Sequence, residues 1–158
     1  MTFRMMVLKK SLRECPRVNN SRKESVKEEI LSIDVTITGM EEVKGKTREA
    51  LMILFSGNAA GPYFSGKILP GAVDTQQQEA GAVRTLSARY ILEGTDSAGQ
   101  SCRIFIENTG VIGENESSFK TIPVIATNSK TLAWMETAKL EGEVIPLESG
   151  VKVLIYSV

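Results

Sequence analysis

Histidine is absent from this sequence. Its absence removes Ser-His-Asp and Cys-His catalysis, His-ligated zinc and imidazole proton transfer. Any acid–base chemistry falls to Asp, Glu, Lys, Tyr or Cys. Cysteine is scarce as well. Cys15 and Cys102 are too few for a disulfide framework and form no CxxC pair. Charge of one sign is missing too, with 19 Lys and Arg against 19 Asp and Glu. Such a balance argues against nucleic acid as a main partner, because phosphate binding needs a positive excess. It argues equally against a polybasic membrane contact. No apolar run approaches the ~20 residues of a membrane helix, and the opening MTFRMMVLKK lacks a secretory pattern. A cytoplasmic chain with reduced thiols is expected. There is no P-loop or GxGxxG pattern, and the carboxylates are scattered, so neither a nucleotide cofactor nor a metal is expected.

What is present reads as one domain behind an arm. The 158 residues suit a single core. Residues 1–30 are highly charged over much of their length and form the arm. Ser21-x-x-Glu24 could cap a short helix running to about Glu29, with Val26 and Ile30 as its apolar face. Residues 31–158 read as strands. Leu31 to Thr38 alternates strictly between apolar and polar, as a half-buried strand does. Ala50 to Ser56 is a continuous apolar run, which suits a strand covered on both sides. Tyr63 to Leu69 is interrupted by Gly66, a sign of close backbone approach. A polar loop is expected from Pro70-Gly71 through Gln78, and another from Gly110 to Ser118. Phe119 to Ala126 carries Pro123, which places it at an edge or a bend. A short helix over Thr131 to Met135 can be capped by Asn128 or Ser129. Lys139 to Ile145 and Val151 to Tyr156 form a last hairpin. About eight strands at regular spacing, with one short helix, predict an all-β fold: a small closed or nearly closed antiparallel barrel.

Arg84 to Glu93 and Ser101 to Asn108 allow a register to be set. Placing Arg89 opposite Glu107 puts Glu93 opposite Arg103 and Ile91 opposite Phe105. Tyr90 then faces Ile106, and Leu92 faces Ile104, on the other side of the sheet. A slip of one residue would set Arg89 against Ile106. The charged face is either solvated or the lining of the barrel.

A series of motifs points to a family. Gly61-Pro-Tyr63 runs into Pro70-Gly71-Ala-Val-Asp74. Ala88-Arg89-Tyr90, Glu107-Asn108-Thr-Gly110, Phe119-Lys-Thr121 and Ala133-Trp134 follow in order. This resembles the bacterial and fungal domain of unknown function 3237, over about residues 31–158. Ala72 stands where that family has a second glycine, and Thr75 where it often has Trp. The resemblance implies a compact β-barrel with a cavity of small-molecule size, and no agreed activity.

Five residues are candidate ligand contacts: Asp74, Arg89, Glu107, Asn108 and Trp134. Asp74 is either an Asx turn or a pocket carboxylate. Arg89 is either a partner for Glu107 or a fork for a substrate carboxylate. Asn108 precedes a turn and suits a backbone-bonding role. Trp134 is a core plug or a lid over a barrel end. Tyr90 belongs to the core, with its hydroxyl reaching a rim. Three functions remain open. One is a module binding a small polar molecule, such as a carboxylate, between Arg89 and Asp74 under Trp134. Another is a cofactor-free isomerase, cyclase or lyase, with Asp74 or Glu107 as base and Arg89 stabilising an enolate-like charge. The third is a structural homo-oligomer joined through residues 1–30.

Overall fold

The computed structural model describes residues 26–158. Nine strands follow one another: β1 (Glu28–Lys44), β2 (Arg48–Ala60), β3 (Phe64–Ile68), β4 (Val73–Glu79) and β5 (Arg84–Asp96), then β6 (Ser101–Ile112), β7 (Phe119–Thr127), β8 (Leu140–Pro146) and β9 (Val151–Ser157). A single 3-10 turn, Ala133–Glu136, lies between β7 and β8. Every pairing is antiparallel, and the sheet closes because β1 pairs with both β9 and β2.

Nine strands make eight staves. β3 and β4 each pair with β2 on one side and β5 on the other. They run in the same direction and are two pieces of one stave, separated by Leu69–Ala72. The ladder is carried across this break by Leu69 N–H to the Ile91 carbonyl, 2.8 Å, and Phe55 N–H to the Ala72 carbonyl, 3.3 Å. Gly71 takes a φ of 100° here, which an L side chain would resist. The Pro70-Gly71 motif is therefore a bulge inside a stave, and it sets Asp74 opposite Ala88.

The closed barrel revises several expectations. The segment through Gln78 is not a loop, because Val73–Glu79 finds ladder partners on both sides. β6 likewise continues to Ile112 beside Arg84 of β5. β1 begins at Glu28 rather than Leu31. Glu28 and Glu29 pair with Ser157 and Tyr156 of β9, so they cannot end a helix. Ile30 is fully buried in the core, while Val26 is exposed. The rest of the proposed helix, Cys15 and the possible oligomer contact through residues 1–25 lie outside the described residues. β2 is covered on one side only: Phe55 is buried, whereas Met52 and Leu54 face outward and are exposed. A barrel wall has one interior face, so an apolar run does not by itself mean two covered faces.

Other readings hold. The register of β5 and β6 is as expected, with Arg89 opposite Glu107, Glu93 opposite Arg103 and Tyr90 opposite Ile106. Pro123 sits where pairing of β7 with β8 has ended, since that pairing covers only Phe119 to Thr121. Cys102 is a small buried hydrophobe, and burial pushes its thiol up.

One end of the barrel is stoppered. Leu132 and Met135, on and beside the 3-10 turn, are buried against the core. Ser129 rather than Asn128 holds the turn, since its Oγ accepts from Leu132 N–H at 3.1 Å. That hydroxyl also donates to Asp96 Oδ2 at 2.7 Å. Asp96 Oδ1 accepts from Ala98 and Gln100 N–H, both at 3.0 Å, closing the β5–β6 turn. One carboxylate thus ties a hairpin to the stopper. These hydrogen bonds, the Ser129 hydroxyl first, hold the Asp96 carboxyl below its ordinary range. A depressed carboxylate stabilises the fold above its unfolded pKa, and this contribution is lost as pH falls through the folded value. Asp96→Asn should therefore be less stable than wild type at neutral pH, with the gap closing in acid. Urea midpoints of both proteins from about pH 7 down to about pH 2 would check this across the transition. A gap that does not change with pH would refute it.

Candidate functional site

The interior toward the other end of the barrel is not filled. A cavity of about 110 Å³ lies between β1, β2, β4, β5, β6, β8 and β9, with Phe119 at the start of β7 also on its wall. A single water needs only about 10–15 Å³ on this measure. Most of the wall is apolar, including Val35, Ile53, Phe55, Val144 and Val153. The polar groups on it are Asp74, Gln76, Tyr90 and Asn108.

Strand parity explains why these residues meet. Ala88 and Tyr90 on β5 point inward, and Ala88 stands opposite both Asp74 and Asn108. Three neighbouring staves thus each supply a polar group to one space. The small side chain of Ala88, between Asp74 and Asn108, keeps that space open. Tyr90 is anchored from behind by an edge-on contact with Phe55, with ring centroids 5.4 Å apart.

The hydrogen bonding at this site is incomplete within the protein. Asp74 Oδ2 accepts from Gln76 Nε2 at 2.9 Å, but buried Oδ1 has no protein partner. The Tyr90 hydroxyl and Asn108 Oδ1 have none either, though these residues are only 5% and 2% exposed. Thr121 Oγ1, in a residue 3% exposed, is a fourth such atom. It stands beside Asn108 behind the wall. A Cβ on Gly142 would collide with Thr121 Oγ1 and lie 3.2 Å from Asn108 Oδ1. Buried polar atoms are nearly always hydrogen-bonded, so four unpaired ones in or beside one cavity mark it out. Burial pushes the Asp74 carboxyl above its ordinary value, although the Gln76 hydrogen bond pulls the other way. Burial alone raises the Tyr90 hydroxyl, so it stays protonated as a donor.

Of the five candidates, the cavity brings together Asp74 and Asn108. Arg89 is exposed on the outer surface, the side opposite Tyr90, and Glu107 is half-buried on that same outer face. The reason is the two-residue period of a strand: Arg89 alternates with the inward Ala88 and Tyr90. The charged face of the central hairpin is thus the solvated one. Glu93 and Arg103 form an ion pair on it at 2.7 Å, with both side chains substantially exposed. Arg89 therefore cannot hold a carboxylate against Asp74, nor stabilise an enolate there. Trp134 is not over the cavity. It packs edge-on against Tyr63, centroids 5.2 Å apart, at the stoppered end, and Tyr63 donates to Glu28 Oε1 at 2.5 Å. Tyr90, placed in the core by the sequence, also lines the cavity, and Thr121 stands behind it. Tyr90 shares its parity with Asn108 across the sheet, a signal already present in the register. Thr121 stands in the Phe119-Lys-Thr121 motif, but only the fold brings β7 and β8 beside Asn108.

Comparisons with known proteins agree with this architecture. A curated relative from Clostridium acetobutylicum, a UPF0311 protein, is 32% identical over 134 residues, 72% of this chain and 81% of its own length. The crystal structure of a protein of unknown function from the same bacterium has a TM-score of 0.71 at 27% identity. That match covers 84% of this chain and 95% of the other. An enzyme from Penicillium herquei has the same fold, with a TM-score of 0.63 at 15% identity, covering 84% and 92% of the two chains. Residues 28–158 match the model of the family described as protein of unknown function DUF3237, and the chain belongs to that family.

Proposed function

We propose that this protein binds a small organic molecule inside its barrel, in contact with Asp74, Tyr90 and Asn108. One observation carries the reading: three buried polar atoms without protein partners, Asp74 Oδ1, the Tyr90 hydroxyl and Asn108 Oδ1, belong to residues on one cavity with a largely apolar wall. Concave apolar sites with a few convergent polar groups are the usual form of a small-molecule site. Leaving such groups unpaired costs about 1–3 kcal/mol each, a cost that a ligand supplying the missing partners would offset. Filling the space is the direct test. Ala88→Leu would occupy the gap between Asp74 and Asn108 without adding charge. In a thermal-shift screen of fragments, binders at this site should raise the Tm of wild type and not of Ala88→Leu. Fragments that shift both proteins equally, or none that shifts wild type, would defeat the proposal.

A second reading, cofactor-free acid–base catalysis, has support in the raised Asp74 carboxyl. Burial moves such a group toward the range where it exchanges protons near neutral pH. A fungal protein of this fold is described as an enzyme. In this reading Asp74 is the base and Tyr90 the hydrogen-bond donor, with Arg89 and Glu107 taking no part. Asp74→Asn would then keep binding and lose turnover.

A further inference from the structure

We infer that the cavity is built for a hydroxyl-bearing molecule on an apolar body, an alcohol or a phenol, and not for a carboxylate. The inference rests on the proposed function and narrows its ligand class. Its basis is the donor and acceptor inventory of the cavity. Asn108 Oδ1 and Asp74 Oδ1 are acceptors without a protein donor. The Tyr90 hydroxyl carries a hydrogen without a protein acceptor. A ligand completing this set must both donate and accept.

An alkylammonium donates only: it could reach both oxygens and stand favourably beside the Asp74 carboxyl, but it would leave the Tyr90 hydrogen without an acceptor. A carboxylate accepts only, and would leave both oxygens unpaired while standing beside the Asp74 carboxyl. No Lys or Arg lines the cavity among the described residues, so nothing there would offset an anion's lost hydration. A hydroxyl group accepts from Tyr90 and donates its one hydrogen to one of the two oxygens, and a second hydroxyl on the same body supplies the other. The apolar wall, with Phe55 and Val153 among its members, suits the rest of such a molecule.

The test uses one ring and four substituents on the full chain at neutral pH: benzyl alcohol, benzylamine, benzoate and toluene. Affinities are read by titration calorimetry or by protein-observed NMR. Benzyl alcohol should bind at least tenfold tighter than benzoate, and tighter than benzylamine and toluene. Asn108→Leu should remove its advantage over toluene. Where that variant does not fold, Tyr90→Phe, which keeps the ring and removes only the hydroxyl, reads the same advantage. Benzoate or benzylamine binding as tightly as the alcohol at this site would overturn the ligand class while leaving the cavity as a binding site. No binding by any of the four would overturn the inference together with the reading beneath it.

Discussion

Gly94→Ala should destabilise the protein by about 3 kcal/mol, the upper part of the range for forcing atoms into a packed interior. Gly94 on β5 stands directly opposite Gly66 on β3. A Cβ on Gly94 would run into the Ser65 carbonyl oxygen and lie 2.5 Å from Gly66 Cα. Both are backbone atoms of the neighbouring stave, so no side chain can rotate away. A Cβ on Gly66 fares no better, lying 2.7 Å from Phe64 Cζ and 2.9 Å from the Glu93 carbonyl carbon. The two glycines let the two staves approach closely. Widening this contact would strain the β3 and β6 ladders together, because Gly94 also pairs with Cys102. Gly99 is the control. Its φ of 78° makes alanine costly by about 1–2 kcal/mol from the left-handed backbone alone, but nothing lies within 4 Å of a Cβ there. Urea unfolding of Gly94→Ala, Gly99→Ala and wild type decides the matter. A loss at Gly94 no greater than that at Gly99 would show that the staves can move apart freely.

The interruption at Gly66 is visible in the sequence, but its partner is not, because the pairing joins strands separated by β4. The same limit explains the largest misreading of the fold. β4 is written Val73-Asp-Thr-Gln-Gln-Gln-Glu79, and its polarity resembles a loop. It is a strand because both neighbours offer it ladders, a tertiary fact that no local pattern carries. The β5–β6 register is the opposite case. Charge pairing at Glu93–Arg103 and apolar pairing at Leu92–Ile104 fix it locally. Parity then orders the site: with Leu92 and Ile104 in the core, Tyr90, Ala88 and Asn108 must also point inward, and Arg89 outward. In the Ala-Arg-Tyr motif the charged member faces outward, and the cavity uses the residues on either side.

If the unpaired groups are held for a ligand, removing them should stabilise the free protein and abolish binding together. The double variant Tyr90→Phe with Asn108→Leu should be more stable than wild type by about 2 kcal/mol, roughly 1 kcal/mol for each buried polar atom relieved of its missing partner. Ordinary core residues behave otherwise, since most substitutions at buried positions lower stability. Tyr90→Phe keeps the ring on Phe55 and loses no hydrogen bond to the protein. Asn108→Leu exchanges a buried carboxamide, 2% exposed, for an apolar side chain beside Ala88 and the cavity. The two residues line one cavity on neighbouring strands, so the single variants are measured beside the double to read their coupling. Denaturation midpoints give the stability change, and benzyl alcohol titration gives the binding. Higher stability with at least tenfold weaker binding is the signature of a site maintained against the interest of the fold. A variant that is less stable by a comparable amount would mean that Tyr90 and Asn108 serve the core, and that their polar atoms find partners within the protein.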